Sequence, residues 1–357
     1  MIDLKKYGLT TRFEQEATLY EGYFTARVIS QHRELYNVVS QSGTALATVS
    51  GKLAYNAVDN THFPAVGDWV MIDRADDRYG NAVIHHVLER KSVFTRKAAG
   101  TTNSLQIVAA NIDTVFICMA LDADFNLRRL ERYLSIAWDS PAVPVIVLTK
   151  ADLCADVDEK LTQVFAVNSG AEVIVCSGLQ ENGYKDILPH INEGKTIAFI
   201  GSSGVGKSTL INHLMGDDIL STGEIRADGK GRHTTTHRQL LLLPNGGIVI
   251  DTPGMRELQL DSGDLSRSFE DIEELAALCK FNDCSHKNEP GCAVRKAIFD
   301  GELAEGRLQN YYKLQKEICY DGLNSRQREE EKIKNMFGSM AGLKQAHRHA
   351  RSKNKRR

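Results

Sequence analysis

The sequence predicts an α/β protein in three parts: a small β-barrel, a parallel sheet with helices on both faces, and a charged helical segment. Three observations carry this. Residues 1–95 hold short β-type runs broken by turn residues, and residues 96–261 alternate continuous apolar runs with helical stretches. Residues 262–357 are charged and helical around a cluster of Cys and His. At 357 residues and 42% hydrophobic side chains, the chain is long enough to bury two or three cores of ordinary size.

In the first part the runs are GYFTARVIS, LYNVVS, TALATVSGKL, PAVGDWVMID and NAVIHHVLER. Five or so short strands without a clear helix suggest a small barrel, and an oligonucleotide-binding (OB) barrel fits that number. Trp69 reads as core, with a base-stacking platform as the alternative.

The second part begins with the apolar strand DTVFICMAL and the helix NLRRLERYLSIAW, followed by the strand VPVIVLT and the helix DVDEKLTQVFAVN. AEVIVC and KTIAFIG are further strands, KSTLINHLMG is a helix, and RQLLLLP with GGIVID forms a hairpin around Asn245, Gly246 and Gly247. Apolar strands alternating with helices imply a parallel sheet buried on both faces. Ligand loops then belong at the carboxyl ends of the strands.

Three motifs occupy those ends. Gly201, Ser202, Ser203, Gly204, Val205, Gly206, Lys207, Ser208 and Thr209 form a phosphate-binding loop between a strand and a helix, the context that gives the pattern its meaning. Its glycines let backbone amides face phosphate oxygens, and the helix N-terminus adds a favourable dipole. Lys207 is expected to bridge the β- and γ-phosphates and Ser208 to ligate magnesium. Asp251 opens DTPG after a second apolar strand; its carboxylate suits magnesium, and the Gly254 amide suits the γ-phosphate.

The third motif reads the base. In Thr149, Lys150, Ala151 and Asp152, the carboxylate of Asp152 matches the N1 proton and exocyclic amine of guanine, a pair that adenine lacks. Lys150 is expected to pack over the base. Thr149 stands where such tetrads usually open with Asn, which predicts some loss of affinity. Cys176, Ser177 and Gly178 follow the strand AEVIV as a second base-contacting loop. The tetrad lies upstream of the phosphate loop, the reverse of the usual guanine-nucleotide domain, so the domain is circularly permuted. Between the phosphate loop and DTPG, GEIRADGKGRHTTTHRQ is rich in Gly, basic residues and Thr, as a nucleotide-ordered switch requires. Thr235 is its candidate magnesium ligand, with Thr234 and Thr236 as alternatives.

In the third part, Cys279, Cys284, His286 and Cys292 fall within fourteen residues. Three thiols and an imidazole suit a closed tetrahedral zinc site with no position left for water, hence a structural ion. The segment FNDCSHKNEPGC is too short and polar to fold without such a staple. The other cysteines, Cys118, Cys154, Cys176 and Cys319, read as ordinary, partly buried thiols. From Leu343 to Arg357 the chain carries seven Lys or Arg and no acid, leaving −9 on the rest against a total of −2. Such a tail suits a polyanion through counterion release, with a purely solubilising role as the alternative. No run of about eighteen apolar residues offers a membrane span, and the start lacks an apolar secretory segment, so the expected location is the cytoplasm.

Together the permuted order, GRHTTT, DTPG and the spacing Cys279-x4-Cys284-x-His286-x5-Cys292 resemble the RsgA (YjeQ) family of small-ribosomal-subunit-dependent GTPases. The resemblance spans nearly the whole chain. It implies an OB-fold RNA-binding domain over residues 1–95, a permuted GTPase domain over 96–261, and a zinc domain with a basic tail over 262–357. It further implies GTP hydrolysis to GDP and phosphate late in maturation of the small ribosomal subunit, with binding to its rRNA and stimulation by the subunit. A monomer is expected. Met255 stands where many switch GTPases place a water-orienting Gln and cannot polarise water. His233 is the candidate catalytic residue, a role the resemblance supports; an rRNA contact or a solvated position is the alternative. A P-loop nucleotide kinase, an RNA-binding module with a vestigial nucleotide site, and a metal-delivery GTPase are the competing readings.

Overall fold

Alternation of apolar residues at every second position builds the N-terminal barrel. In the computed structural model, which describes residues 1–76, 78, 80–97, 105–168, 170–178, 183–216, 238–251 and 265–320, five strands form it. These are β1 (Phe24–His32), β2 (Leu35–Ser40), β3 (Gly43–Val49), β4 (Trp69–Ile72) and β5 (Ala82–Val87). Ala26 and Val28, Tyr36 and Val38, Ala45 and Ala47, Val70 and Ile72, and Ala82 and Ile84 face inward as one core. The order β1–β2–β3–β5–β4, with β4 pairing back to β1, closes the barrel.

The sequence suggested no helix here, but α1 (Thr11–Ala17) and α2 (Gly51–Asn56) are present. The first of them completes the packing around the barrel, because its Phe13 covers the opposite face of β4 together with Leu4, Val39, Trp69, Met71 and Leu88. Trp69 is fully buried, 5.9 Å from the Phe13 ring, so it belongs to the core and not to a stacking platform.

A hairpin of β6 (Val93–Lys97) and β7 (Leu105–Ala110) leads into the central sheet. There β8 (Thr114–Ala120), α3 (Leu127–Asp139), β9 (Val143–Thr149), α4 (Val157–Phe165), β10 (Glu172–Val175), β11 (Thr196–Ile200), α5 (Lys207–Met215), β12 (Arg238–Leu242) and β13 (Ile248–Asp251) follow in sequence. In space the strands run β10–β9–β8–β11–β13–β12, all parallel except β12, which forms the expected hairpin with β13. The turn depends on Gly246 at φ +87° and on the Asn245 side chain, which accepts from the Gly247 amide. β8 explains why these strands read as continuous apolar runs. Val115, Ile117 and Met119 face one core under α3, while Phe116, Cys118 and Ala120 face another under α5.

Barrel and sheet are joined. β12 pairs antiparallel with β1, making one eleven-stranded sheet. Below that seam the buried Arg27 donates to the carbonyls of Gly67 and Tyr7 and to the Thr196 hydroxyl at the start of β11. Burial lowers the Arg27 guanidinium to about 10, with Asp113 and Asp68 opposing the shift.

The C-terminal helices α6 (Glu270–Ala277), α7 (Ala293–Phe299) and α8 (Glu305–Tyr320) pack on the α3 face. Phe269, Ile272, Leu308, Tyr311 and Leu314 share the same apolar cluster as Leu130 and Leu134 of α3. At the centre of this contact sits the buried Glu131, which accepts from Arg128, Arg307 and Asn310. Among the described residues no helix is long and apolar enough to cross a membrane.

Candidate nucleotide site and metal centre

Thr149 joins the two nucleotide motifs. It ends β9, is buried, and its hydroxyl donates to the Val205 carbonyl in the phosphate loop at 2.6 Å. Beside the amide that the residue type lacks, the short hydroxyl adds a contact the sequence did not suggest, tying Thr149–Asp152 to the loop 201–209. β9 and β11 flank β8, so motifs 56 residues apart in reversed chain order lie on one edge of the sheet.

The phosphate loop has the backbone the motif needs. Gly201, Gly204 and Gly206 have φ of +145°, +75° and +96°, values that L side chains rarely adopt. A Cβ on Gly201 would stand 2.4 Å from the Cys118 carbonyl oxygen. Lys207 opens α5 and folds back over the loop, donating to the carbonyls of Gly201 at 2.8 Å and Ser202 at 2.5 Å. Ser208 and Thr209 follow in the first turn of α5. Asp251 ends β13, whose register places Ile250 beside Ala198 of β11, so the carboxylate lies at the same sheet edge as the loop.

In the tetrad, Lys150 adopts the left-handed backbone at φ +57° and pairs with Asp122 at 2.8 Å. Burial alone would raise the Asp122 carboxyl; the Lys150 ammonium and the Asp124 amide hold it below its ordinary range. Asp152 is exposed and accepts from the Ser177 hydroxyl, while the Ala151 amide donates to the Cys176 carbonyl. The structure thus brings the tetrad and the loop 176–178 together. Gly178 in turn lies against α5: its carbonyl is 2.6 Å from His213 Nε2, and the Tyr184 ring stacks on His213 at 5.0 Å.

Asp122 beside Lys150, Arg129, whose Nη1 donates to the Ser202 hydroxyl, and Tyr184 and His213 beside Gly178 also meet these loops and were not singled out by the sequence pattern. The only available signal was position, because Asp122 follows β8 at a strand's carboxyl end. Cys176 turns its side chain into the core, leaving only its backbone for a ligand, and burial pushes its thiol up to about 12. Cys118 is likewise buried, and Cys154 half-buried; the Cys319 side chain lies outside the described residues. His233, Thr234, Thr235, Thr236 and Gly254 also lie outside them.

The candidate metal-ligating set is assembled. The ligand atoms of Cys279, Cys284, His286 and Cys292 all lie within 4.8 Å of one another. Cys279 Sγ is 3.9 Å from Cys292 Sγ, and each is 3.5 Å from His286 Nδ1. A tetrahedral ion bound at about 2.3 Å to sulfur and about 2.0 Å to nitrogen sets these separations at about 3.8 and about 3.5 Å, so the residues fit zinc. His286 reaches this position with a left-handed backbone at φ +52°. The Glu289 carboxylate holds the loop by accepting from the Ser285 hydroxyl and the amides of Ser285, Lys287 and Asn288. Tyr312 of α8 fastens the loop to the helical region by donating to the Ser285 carbonyl at 2.7 Å.

Comparisons with known proteins converge on one family. Residues 87–261 match the family model described as RsgA GTPase. A relative from Lactiplantibacillus plantarum, named small ribosomal subunit biogenesis GTPase RsgA 2, is 54% identical over 96% of this chain and 97% of its own. A relative from Oceanobacillus iheyensis, named small ribosomal subunit biogenesis GTPase RsgA 1, is 46% identical over 83% and 85% of the two chains. The crystal structure of YjeQ from Thermotoga maritima matches with a TM-score of 0.61 at 28% identity, over 83% of this chain and 99% of that one. YloQ, described as a circularly permuted GTPase, matches with a TM-score of 0.57 at 26% identity, over 84% and 96%. With these relatives and the permuted order of its motifs, the chain belongs to the RsgA family of GTPases.

Proposed function

We propose that this chain binds GTP across the sheet edge formed by Gly201–Thr209, Thr149–Asp152 and Cys176–Gly178, and hydrolyses it during late maturation of the small ribosomal subunit. The observation that carries the reading is the Thr149–Val205 hydrogen bond, which makes one site of a phosphate loop and a guanine tetrad that the chain presents in reverse order. Asp152, which accepts from Ser177, would select guanine over adenine, a discrimination a general nucleotide kinase does not need.

The oxygen donors Ser208 and Asp251, with Thr235, would hold magnesium, which when bound neutralises charge on the β- and γ-phosphates. Lys207 would exchange its loop carbonyls for phosphate oxygens. His233 is assigned to orienting or deprotonating water, since Met255 cannot. Gly254 would contact the γ-phosphate and release on its loss. A structural zinc at Cys279, Cys284, His286 and Cys292 would brace the C-terminal region. The barrel and the basic segment 343–357 are proposed as rRNA contacts, with action as a monomer in the cytoplasm.

The test is GTP turnover measured alone and with purified small subunits, large subunits or naked RNA. Stimulation by small subunits alone is expected, and His233→Ala should keep GTP binding while losing that stimulation. Equal stimulation by all three additions would overturn the partner assignment. Unchanged stimulation in the variant would remove His233 from the mechanism.

A further inference from the structure

We propose that Arg129 is a catalytic residue of this site, an arginine supplied by the chain itself that stabilises charge on the γ-phosphoryl group as GTP is hydrolysed. The inference rests on the reading that Gly201–Thr209 holds GTP. Arg129 lies in the first turn of α3, its amide capped by the Asn126 side chain at 3.1 Å. Its Nη1 donates to the Ser202 hydroxyl in the phosphate loop and pairs with Asp124 at 2.7 Å. Lys207 meets the same residue from the other side, donating to the Ser202 carbonyl at 2.5 Å. Two cations therefore converge on one residue of the loop, from two different helices.

The arrangement suits a ligand better than it suits structure. Among the described residues, every hydrogen bond of the Arg129 side chain runs through Nη1, which leaves the protons of Nε and Nη2 for phosphate oxygens. The guanidinium fork matches such oxygens two at a time. Its pair with Asp124 is partly exposed, at 32% and 40% for the two side chains, so it holds the arginine ready at little cost to release. The neighbouring Arg128 shows the contrast, because it donates to the buried Glu131 under the C-terminal helices. One helix thus commits one arginine to packing and the next to the loop.

In the reaction, water oxygen forms a bond to the γ-phosphorus while the bond from that phosphorus to the β–γ bridging oxygen breaks. GTP⁴⁻ and H₂O give GDP³⁻, HPO₄²⁻ and H⁺, with the bonding electron pair leaving on the β-phosphate. Negative charge shifts onto the γ-phosphoryl oxygens and the bridging oxygen in the transition state, where the Arg129 guanidinium would meet it.

The experiment compares wild type, Arg129→Ala and Arg129→Lys in single-turnover GTP hydrolysis with purified small subunits. Affinities for GDP, for GTP, and for GDP with aluminium fluoride are measured on the same samples. Arg129→Ala should lose at least about 100-fold in rate and lose tightened binding of GDP with aluminium fluoride, while its GDP affinity stays within about threefold. Arg129→Lys, and Arg129→Ala with added guanidinium, should recover part of the rate. A rate within about threefold of wild type in Arg129→Ala, or an equal loss of GDP affinity and rate, would overturn the assignment. Failure of wild type itself to bind GTP would instead overturn the reading of the site. Should Arg129→Ala melt early, Asp124→Asn decides: it removes the resting partner and should leave the rate within about threefold, whereas a loss comparable to that of the arginine variants would mark the pair as structural.

Discussion

Thr149→Val isolates the bond that unites the two nucleotide motifs. The substitution keeps the shape of a buried side chain and removes one hydroxyl, which donates to Val205 at 2.6 Å and lies 3.4 Å from the Met119 carbonyl. The Val205 carbonyl, in a residue 1% exposed, then loses its partner. An unsatisfied buried acceptor costs about 1–3 kcal/mol, which corresponds to about 5- to 150-fold in an equilibrium constant. The loss divides between two observables. If the loop keeps its form without nucleotide, folding stability falls; if the loop relaxes, binding must rebuild it and the Kd for GDP rises. The assay is therefore urea unfolding together with fluorescence titration of GDP, on Thr149→Val and on Thr149→Ser, which retains the hydroxyl. The two losses should total about 1–3 kcal/mol for valine and clearly less for serine. A valine variant with stability within about 0.3 kcal/mol and Kd within about twofold of wild type would show that this bond does not hold the two loops together.

Glu131→Gln leaves Arg307, whose side chain is 7% exposed, with Asp271 as its remaining carboxylate, so urea unfolding should show a loss of about 3 kcal/mol. A loss below about 0.5 kcal/mol would mean that this cluster does not hold α8 on α3. Burial pushes the Cys118 thiol up to about 12 from an ordinary 9. Its neutral form therefore stabilises the fold fully below about pH 9, and this contribution fades as pH rises toward 12. Native alkylation at about pH 8, followed by mass spectrometry, should accordingly spare Cys118, and rapid labelling there would contradict its placement. Metal analysis should find one zinc per chain that resists mild chelation, and Cys284→Ser should lower the stability of the C-terminal helices; a zinc-free protein with those helices intact would remove the zinc assignment.

What could be read from the sequence was what neighbouring residues dictate. β8, β9 and β11 announced themselves because a strand buried on both faces is apolar throughout, and the phosphate loop because glycine spacing is a backbone requirement. The five barrel strands were visible from their turns. What escaped was set by distant partners. α1 is seven residues long with one core side chain, Phe13, so its pattern is too brief to register. Closure of β4 on β1, the seam between β12 and β1, and Arg27 buried against Thr196 join segments about 40 to 200 residues apart that no local pattern connects. Thr149 shows the same limit within the site. Its residue type suggested a weakened base contact, and only the position of Val205 reveals what the hydroxyl holds. Arg129 was one charge among many on a helix until the loop was seen beside it.

If the reversed chain order rebuilds a guanine-reading site, the protein must discriminate bases, and competition binding with Asp152→Asn measures that discrimination. In wild type, GDP and GTP should displace a fluorescent guanine nucleotide while ATP does not. Asp152→Asn replaces an acceptor-only carboxylate by an amide, which should cost guanine nucleotides at least about 100-fold and favour xanthosine nucleotides, whose C2 carbonyl accepts from that amide. Equal displacement by ATP in wild type, or an unchanged affinity for GDP in the variant, would mean that Asp152 does not read guanine.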